Sequence, residues 1–211
     1  MSAFSSTSAD ASAVSPVWVE SMGGPLIVIP VSALAAWRGS TQAGAVMGDA
    51  TAPGDCDYDR ACAVDGLAGV IAVGDSGAQA LVLADEPATS CYLPEHRAFL
   101  RWLAADDSAD DSADSGDRLK AAAEAVLADS ATEWEECGIW MSDGPAVLMD
   151  SAEAGADSSV AYPGGEMPAQ APIPLPTGHW RVRAVHTEAD EDNWVGLVQL
   201  LPSVQLLPSE T

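Results

Sequence analysis

The sequence predicts an α+β fold: antiparallel β-hairpins forming a sheet, with two amphipathic helices packed on it. An unbroken apolar run, Leu26-Ile27-Val28-Ile29, follows the turn signal Met22-Gly23-Gly24-Pro25. Its β-branched residues suit a strand covered on both faces. Two further apolar runs, 67–73 and 79–84, flank Gly74-Asp75-Ser76-Gly77, the turn chemistry of a β-hairpin. Apolar residues at helical spacing recur over 94–104 and 117–128.

Residues 1–16 are Ser/Ala-rich and nearly uncharged, which predicts a disordered lead-in. Trp18 and Val19 begin a short strand before the Gly-Gly-Pro turn, and 26–29 forms the next. Residues 31–39 allow one or two helical turns, with Ser32 as a cap and Gly39 as the stop. Residues 42–58, rich in Gly, Ala, Asp and Pro, leave room for one short strand around Val46 and Met47. After the 67–84 hairpin, 89–93 reads as a strand leading into Pro94.

Pro94 and Glu95 suit a helix start, because proline is tolerated there and an acid complements the dipole. His96, Phe99, Leu100 and Leu103 then share one helical face, with Arg97 and Arg101 outside. The acidic low-complexity stretch 105–117 reads as a solvated loop. Asp117 caps the second helix, whose apolar face is Leu119, Ala122, Ala123, Val126 and Leu127. Beyond it, 134–141 and 145–149 flank Ser142-Asp143-Gly144 and predict a hairpin. A long loop, 151–177, precedes a last hairpin, 178–187 with 194–201, across the acidic turn 188–192. In its first arm Trp180, Val182, Ala184 and His186 share one face, and His179, Arg181, Arg183 and Val185 the other. Residues 203–211 are a tail, and the spread of seven tryptophans over 17–202 argues for one shared core there.

The charge restricts partners. Against 32 acidic side chains stand 8 basic ones, a formal net of -24. Eight scattered cations build no phosphate-neutralising patch, which disfavours nucleic acid and anionic membranes and favours a basic protein. The same acidity also fits a GC-rich genome or a high-salt cytoplasm. The N-terminus has no signal peptide pattern and no apolar tract is long enough to span a bilayer, so a cytoplasmic location is expected. Cys56, Cys62, Cys91 and Cys137 are then expected as free thiols.

No catalytic constellation is legible. His179 and His186, seven apart on one strand, point to opposite faces. Neither a G-x-S-x-G elbow nor a phosphate-binding glycine loop occurs, and without C-x-x-C spacing neither metal nor cofactor is expected. Asp55, Asp57 and Asp59 alternate, which on an extended segment would put three carboxylates on one side. A solvated loop explains them better than a hard-cation site, since the glycine and terminal glutamate of a calcium loop are missing. Glu133, Glu135 and Glu136 around Trp134, and Glu188, Asp190, Glu191 and Asp192 in the last turn, suit a recognition rim against a basic partner.

The stretches WVESMGGPLIVIP, DYDRACAV, CYLPEHRAFLRWLAA, TEWEECGIW, DGPAVLMDSAEAG and GHWRVRAVH together resemble the bacterial family called immunity protein 21, over about residues 17–202. The resemblance implies a cytoplasmic partner-binding protein of a polymorphic toxin system, typical of actinobacteria, that protects its maker from a cognate toxin. It implies no catalysis and carries over no catalytic residues. The expected action is occlusion of a toxin, a basic nuclease for example, by the edges at Asp55–Asp59, Glu133–Glu136 and Glu188–Asp192. The alternative is a metal-dependent hydrolase, whose mark would be three or more acids converging in a pocket. A duplex mimic would need two ordered rows of carboxylates, whereas the densest acids here fall in the 105–117 stretch.

Overall fold

The computed structural model describes residues 16–40, 56–105, 114–189 and 193–203. Its strands are β1 (Trp18–Val19), β2 (Leu26–Pro30), β3 (Gly69–Val73), β4 (Ala78–Leu83), β5 (Thr89–Leu93) and β6 (Ala98–Ala105). They continue with β7 (Glu135–Ser142), β8 (Ala146–Asp150), β9 (Gln170–Ile173), β10 (Gly178–Glu188) and β11 (Asn193–Pro202). Two α-helices, α1 (Asp57–Cys62) and α2 (Asp114–Ala128), and 3-10 turns at Val31–Ala36 and Gly155–Asp157 complete the described chain.

The strands form two antiparallel sheets rather than one. The six-stranded sheet runs β1-β5-β6-β11-β10-β7 and the five-stranded sheet β3-β4-β2-β8-β9. Their inner faces make the main core, with Leu26, Val28, Leu81 and Leu148 on one side and Phe99, Trp140, Val182 and Leu200 on the other. This is a β-sandwich.

Each outer face is covered as well. On the five-stranded sheet, Ile27, Ile29, Val82 and Met149 pack with Ala33 and Trp37 of the segment after β2 and with Ala61 of α1. On the six-stranded sheet, Leu100, Val185, Val195 and Leu197 pack against Leu119 and Ala123 of α2. β2 therefore buries alternate residues in different cores, which explains its unbroken apolar sequence. Its neighbours are β4 and β8, with Ile27 beside Val82 on one side and Met149 on the other.

The fold expectation is corrected at the first helix. Residues 94–97 make a turn, with Arg97 in the left-handed region at φ 48°, and β6 pairs with β5 and β11. Apolar residues on both faces of β6 mimic a helical period: Phe99 points into the sandwich and Leu100 towards α2. Arg101, expected outside, is buried at 1% exposure, and His96 sits in the turn rather than on a helix face. α2 is found where expected, beginning three residues earlier than predicted.

A second correction concerns 134–149. Both strands form, but β7 pairs with β10 and β8 with β2 and β9. The Ser142-Asp143-Gly144 turn passes the chain from one sheet to the other, and the Ser142 hydroxyl holds it by donating to Gly144 O at 2.7 Å. The expected loop 151–177 contains β9, an edge strand on which the exposed Pro172 removes no needed ladder bond. The β3–β4 and β10–β11 hairpins form as the sequence indicates. The helical segment after β2 is a 3-10 turn flanked by Pro30, without the expected Ser32 cap. The possible strand at Val46 and Met47 lies outside the described residues.

Ile27→Ala should cost about 2–5 kcal/mol through lost burial and the cavity left in the outer core, read as a lower urea midpoint. Gly39→Ala should cost more than about 1 kcal/mol. Gly39 has φ 58°, and an added Cβ would lie 2.2 Å from Ala152 O.

Candidate functional site

The acids singled out in the sequence fall in two regions. Asp57 and Asp59 lie on α1, a helix where an extended segment was expected. Cys56 caps it, its Sγ accepting from Asp59 N at 3.3 Å. Asp57 is 4% exposed and accepts from Arg38 N at 2.8 Å and from Arg60 Nη1 at 3.0 Å. It is a structural carboxylate. Asp59 is half-buried, and Asp55 lies outside the described residues.

The other region is one end of the six-stranded sheet. Glu133, Glu135, Glu136 and Glu188 are exposed there. Glu135 sits beside Ala184 in the β7–β10 register, and Glu188 is four residues further on, about 13 Å along the strand. Glu136 pairs with Arg181 at 3.5 Å, and Glu135 accepts from Leu67 N at 3.3 Å. Trp134 lies under the Arg183 guanidinium, 4.2 Å from ring centre to Cζ. Asp190, Glu191 and Asp192 lie outside the described residues.

A polar cluster around the buried Arg101 was not legible in the sequence. His186 Nδ1 lies 3.0 Å from Asp85 Oδ2, and its Nε2 lies 3.2 Å from Arg101 Nη1. Arg101 also donates from Nη1 to Ala84 O at 2.5 Å and from Nη2 to Glu86 O. A guanidinium only donates, so His186 Nε2 accepts and Nδ1–H donates to Asp85. The imidazole is thereby neutral, and its acceptor nitrogen is occupied. This arrangement locks the turn before β5 onto β6 and β10 and offers no free base. Burial, and next the Arg101 charge, hold His186 below its ordinary value. Burial lowers Arg101 to about 10, which leaves it cationic at neutral pH.

Among the described residues one trio of possible metal ligands comes together: Glu95, His96 and Glu124, within 4.8 Å of one another. Lys120 Nζ already pairs with Glu95 at 3.1 Å. A separate cleft of about 480 Å³ lies where the β3–β4 turn meets β7 and the start of β10, and His179, Asp143, Ser32 and Gln79 are among its lining. Asp143 is the one carboxylate in the lining of this cleft. All four cysteines are free thiols, and Cys91 is pushed up to about 12 by burial. Among the described residues no helix is long and apolar enough to cross a membrane.

A sequence profile of the family described as immunity protein 21 matches residues 17–193. The chain belongs to this family. The match takes in β1 to β10 and ends at Asn193, the first residue of β11. No curated protein and no solved structure shows significant similarity to the chain.

The His186 cluster predicts acid sensitivity. A histidine held below its ordinary value of about 6.5 contributes stability that is complete above that value and is lost as pH falls through the lowered one, because the unfolded chain takes up the proton first. Urea midpoints should drop between pH 7 and pH 5, and His186→Gln should drop less over the same interval.

Proposed function

We propose that this protein binds and neutralises a cognate bacterial toxin by covering its working surface, without chemistry of its own. Membership of the immunity protein 21 family over residues 17–193 is the observation that carries this reading. Three features support it. The net charge of -24 suits a basic partner such as a nuclease. The polar cluster around His186 has its acceptor nitrogen occupied by Arg101. The exposed carboxylates Glu133, Glu135, Glu136 and Glu188 stand together at one end of a rigid sheet.

On this reading the protein acts in the cytoplasm of the producing cell, as part of a polymorphic toxin system, and its stoichiometry with the toxin is close to one to one. The acids of the sheet end and of the 188–192 turn steer the encounter, together with Asp55 and Asp59. Charges at an interface rim act mainly on the association rate.

The decisive experiment is a pull-down against the product of the gene beside its own, followed by titration calorimetry and a toxicity assay. A tight complex that silences the toxic activity is expected, and a clean failure to bind removes the proposal. Converting Glu188, Asp190, Glu191 and Asp192 to their amides should slow association roughly tenfold at low salt. The difference should shrink as ionic strength rises. Stopped-flow measurement over a salt series checks it, and an unchanged on-rate takes that turn out of the interface.

A further inference from the structure

We propose that an arginine-bearing segment of the toxin docks on the surface built by the turn before β2, by Tyr58 of α1, and by Asp150, Glu153 and Tyr162 after β8. This rests on the immunity reading and names a surface and a partner chemistry for it.

Three stretches far apart in the chain meet there. Tyr162 Oη donates to Glu153 Oε1 at 2.7 Å and lies 3.7 Å from Met22 Sδ. Met22 N donates to Asp150 Oδ2 at 2.7 Å, across 128 positions of sequence. The Tyr58 ring lies on Gly24, so closely that an added Cβ would sit 2.5 Å from Tyr58 Cε2. Only glycine permits that approach.

Met22 tops this surface and is 68% exposed, more than any other large apolar side chain among the described residues. It is not on a loose loop. The Ser21 hydroxyl donates to Gly24 O at 2.6 Å and accepts from Gly23 N at 3.1 Å, while Met22's own N–H is fixed on Asp150. An apolar side chain held out in water by an ordered turn is a docking feature, and methionine is enriched in interface cores.

Around it stand the carboxylates of Asp150 and Glu153. Asp150 is 2% exposed, its second oxygen accepts from Ala152 N at 2.8 Å, and both its bonds are to neutral backbone. The ion pairs among the described residues involve neither Asp150, Glu153 nor Asp59. Tyr162 is pushed up to about 12 by burial first, then by its bond to Glu153 and by the charges of Glu153 and Asp150. Tyr58 is also pushed up to about 12, foremost by its hydrogen bond with Cys62 and then by burial, with Asp150 and Asp59 adding. Both phenols stay neutral.

A thioether, two phenol rings and carboxylates that make no ion pair among the described residues form a set suited to arginine. A guanidinium stacks on aromatic faces and forks onto a carboxylate, and it is less strongly hydrated than an ammonium. The contrast with Trp134 is direct, since that ring already carries Arg183. A second copy of this chain is a poor occupant, because its net charge is -24 and its eight cations are scattered.

The test has two arms, both with the full chain. In the first, protein carrying ¹³C-methyl methionine is titrated with hexa-arginine amide and, separately, hexalysine amide. The Met22 methyl should shift most among the six methionines, hexalysine should bind more weakly, and Met22→Ala with Tyr162→Ala should weaken the arginine peptide at least fivefold. Equal affinity of the double variant, or shifts centred on other methionines, overturns the docking surface. In the second arm the inactivated product of the neighbouring gene is the probe. Tight binding with a tenfold or greater loss in the folded double variant supports the proposal, and tight binding that the variant leaves intact overturns it. If wild-type protein does not bind that product, the immunity reading falls, and the peptide arm alone decides the surface. Circular dichroism melting checks that the variants fold, and Met22→Ala alone, at a site 68% exposed, is the fallback should the double variant fail.

Discussion

The structure depends on a five-residue strand that has no polar face. β2 sends Leu26 and Val28 into the sandwich and Ile27 and Ile29 into the outer core. All four are buried, and burying side chains of this size stabilises by about 1.5–3 kcal/mol each. Such a strand cannot be at an edge or on a solvent face, so it must be central and must be covered twice. That requirement explains β4 and β8 on either side of it, and the 3-10 turn and α1 over its back. Trp37 closes the outer layer, its indole N–H donating to Ser151 O at 3.0 Å just beyond β8.

The same strand sets the position of the surface argued to meet the toxin. In the β2–β8 register Leu26 lies beside Asp150, and Ser151 N donates to Pro25 O. The start of the central strand and the end of its neighbour are thus tied at one point. A carboxylate at that point has only backbone N–H groups to bond, and it holds Met22 out into solvent as a consequence. Core packing and the outward display of Met22 are one arrangement. If the proposed surface binds the toxin, a change that loosens β2 should weaken that binding without touching any contact residue.

How much of this was legible depended on whether local pattern or sheet pairing decided each element. β2, the β3–β4 and β10–β11 hairpins and α2 are written in local chemistry: an unbroken β-branched run, a Gly-Asp-Ser-Gly turn, alternating faces, a helical stripe. β6 is not. Covered by the sandwich on one side and α2 on the other, Phe99 and Leu100 are both apolar for different reasons, and together with Leu103 they imitate a helix. Arg101 is the residue that betrays the strand, because its burial makes sense only beside His186 and the carbonyls of Ala84 and Glu86, far away in sequence. The β7 to β8 turn has a hairpin's sequence but joins two sheets, since each strand finds a better neighbour elsewhere. Among the acids, composition alone could not separate the buried Asp57, which holds Arg38 and Arg60, from the exposed Glu188. Met22 and Tyr162 carried no signal as a pair, because only the β2–β8 register brings them together.

On the proposed reading, exposed acids and the Met22 surface would contribute different parts of an inhibitor. Charges in water are screened within about 8 Å at physiological salt, so in the proposed complex Glu133, Glu135, Glu136 and Glu188 would attract a basic protein but hold it weakly. Retention needs contacts that exclude water, where a cation–π contact or a charge-assisted hydrogen bond is worth most. Asp150 is already desolvated by the fold, at 2% exposure, so much of the cost of withdrawing that carboxylate from water has been met before a partner arrives. An arginine docking beside it gains attraction in a medium of lower dielectric while that carboxylate has little further hydration to lose. Preorganisation of this kind would let a small acidic domain act by binding alone, as proposed, with steering left to charges that can vary freely and grip assigned to groups the core holds in place.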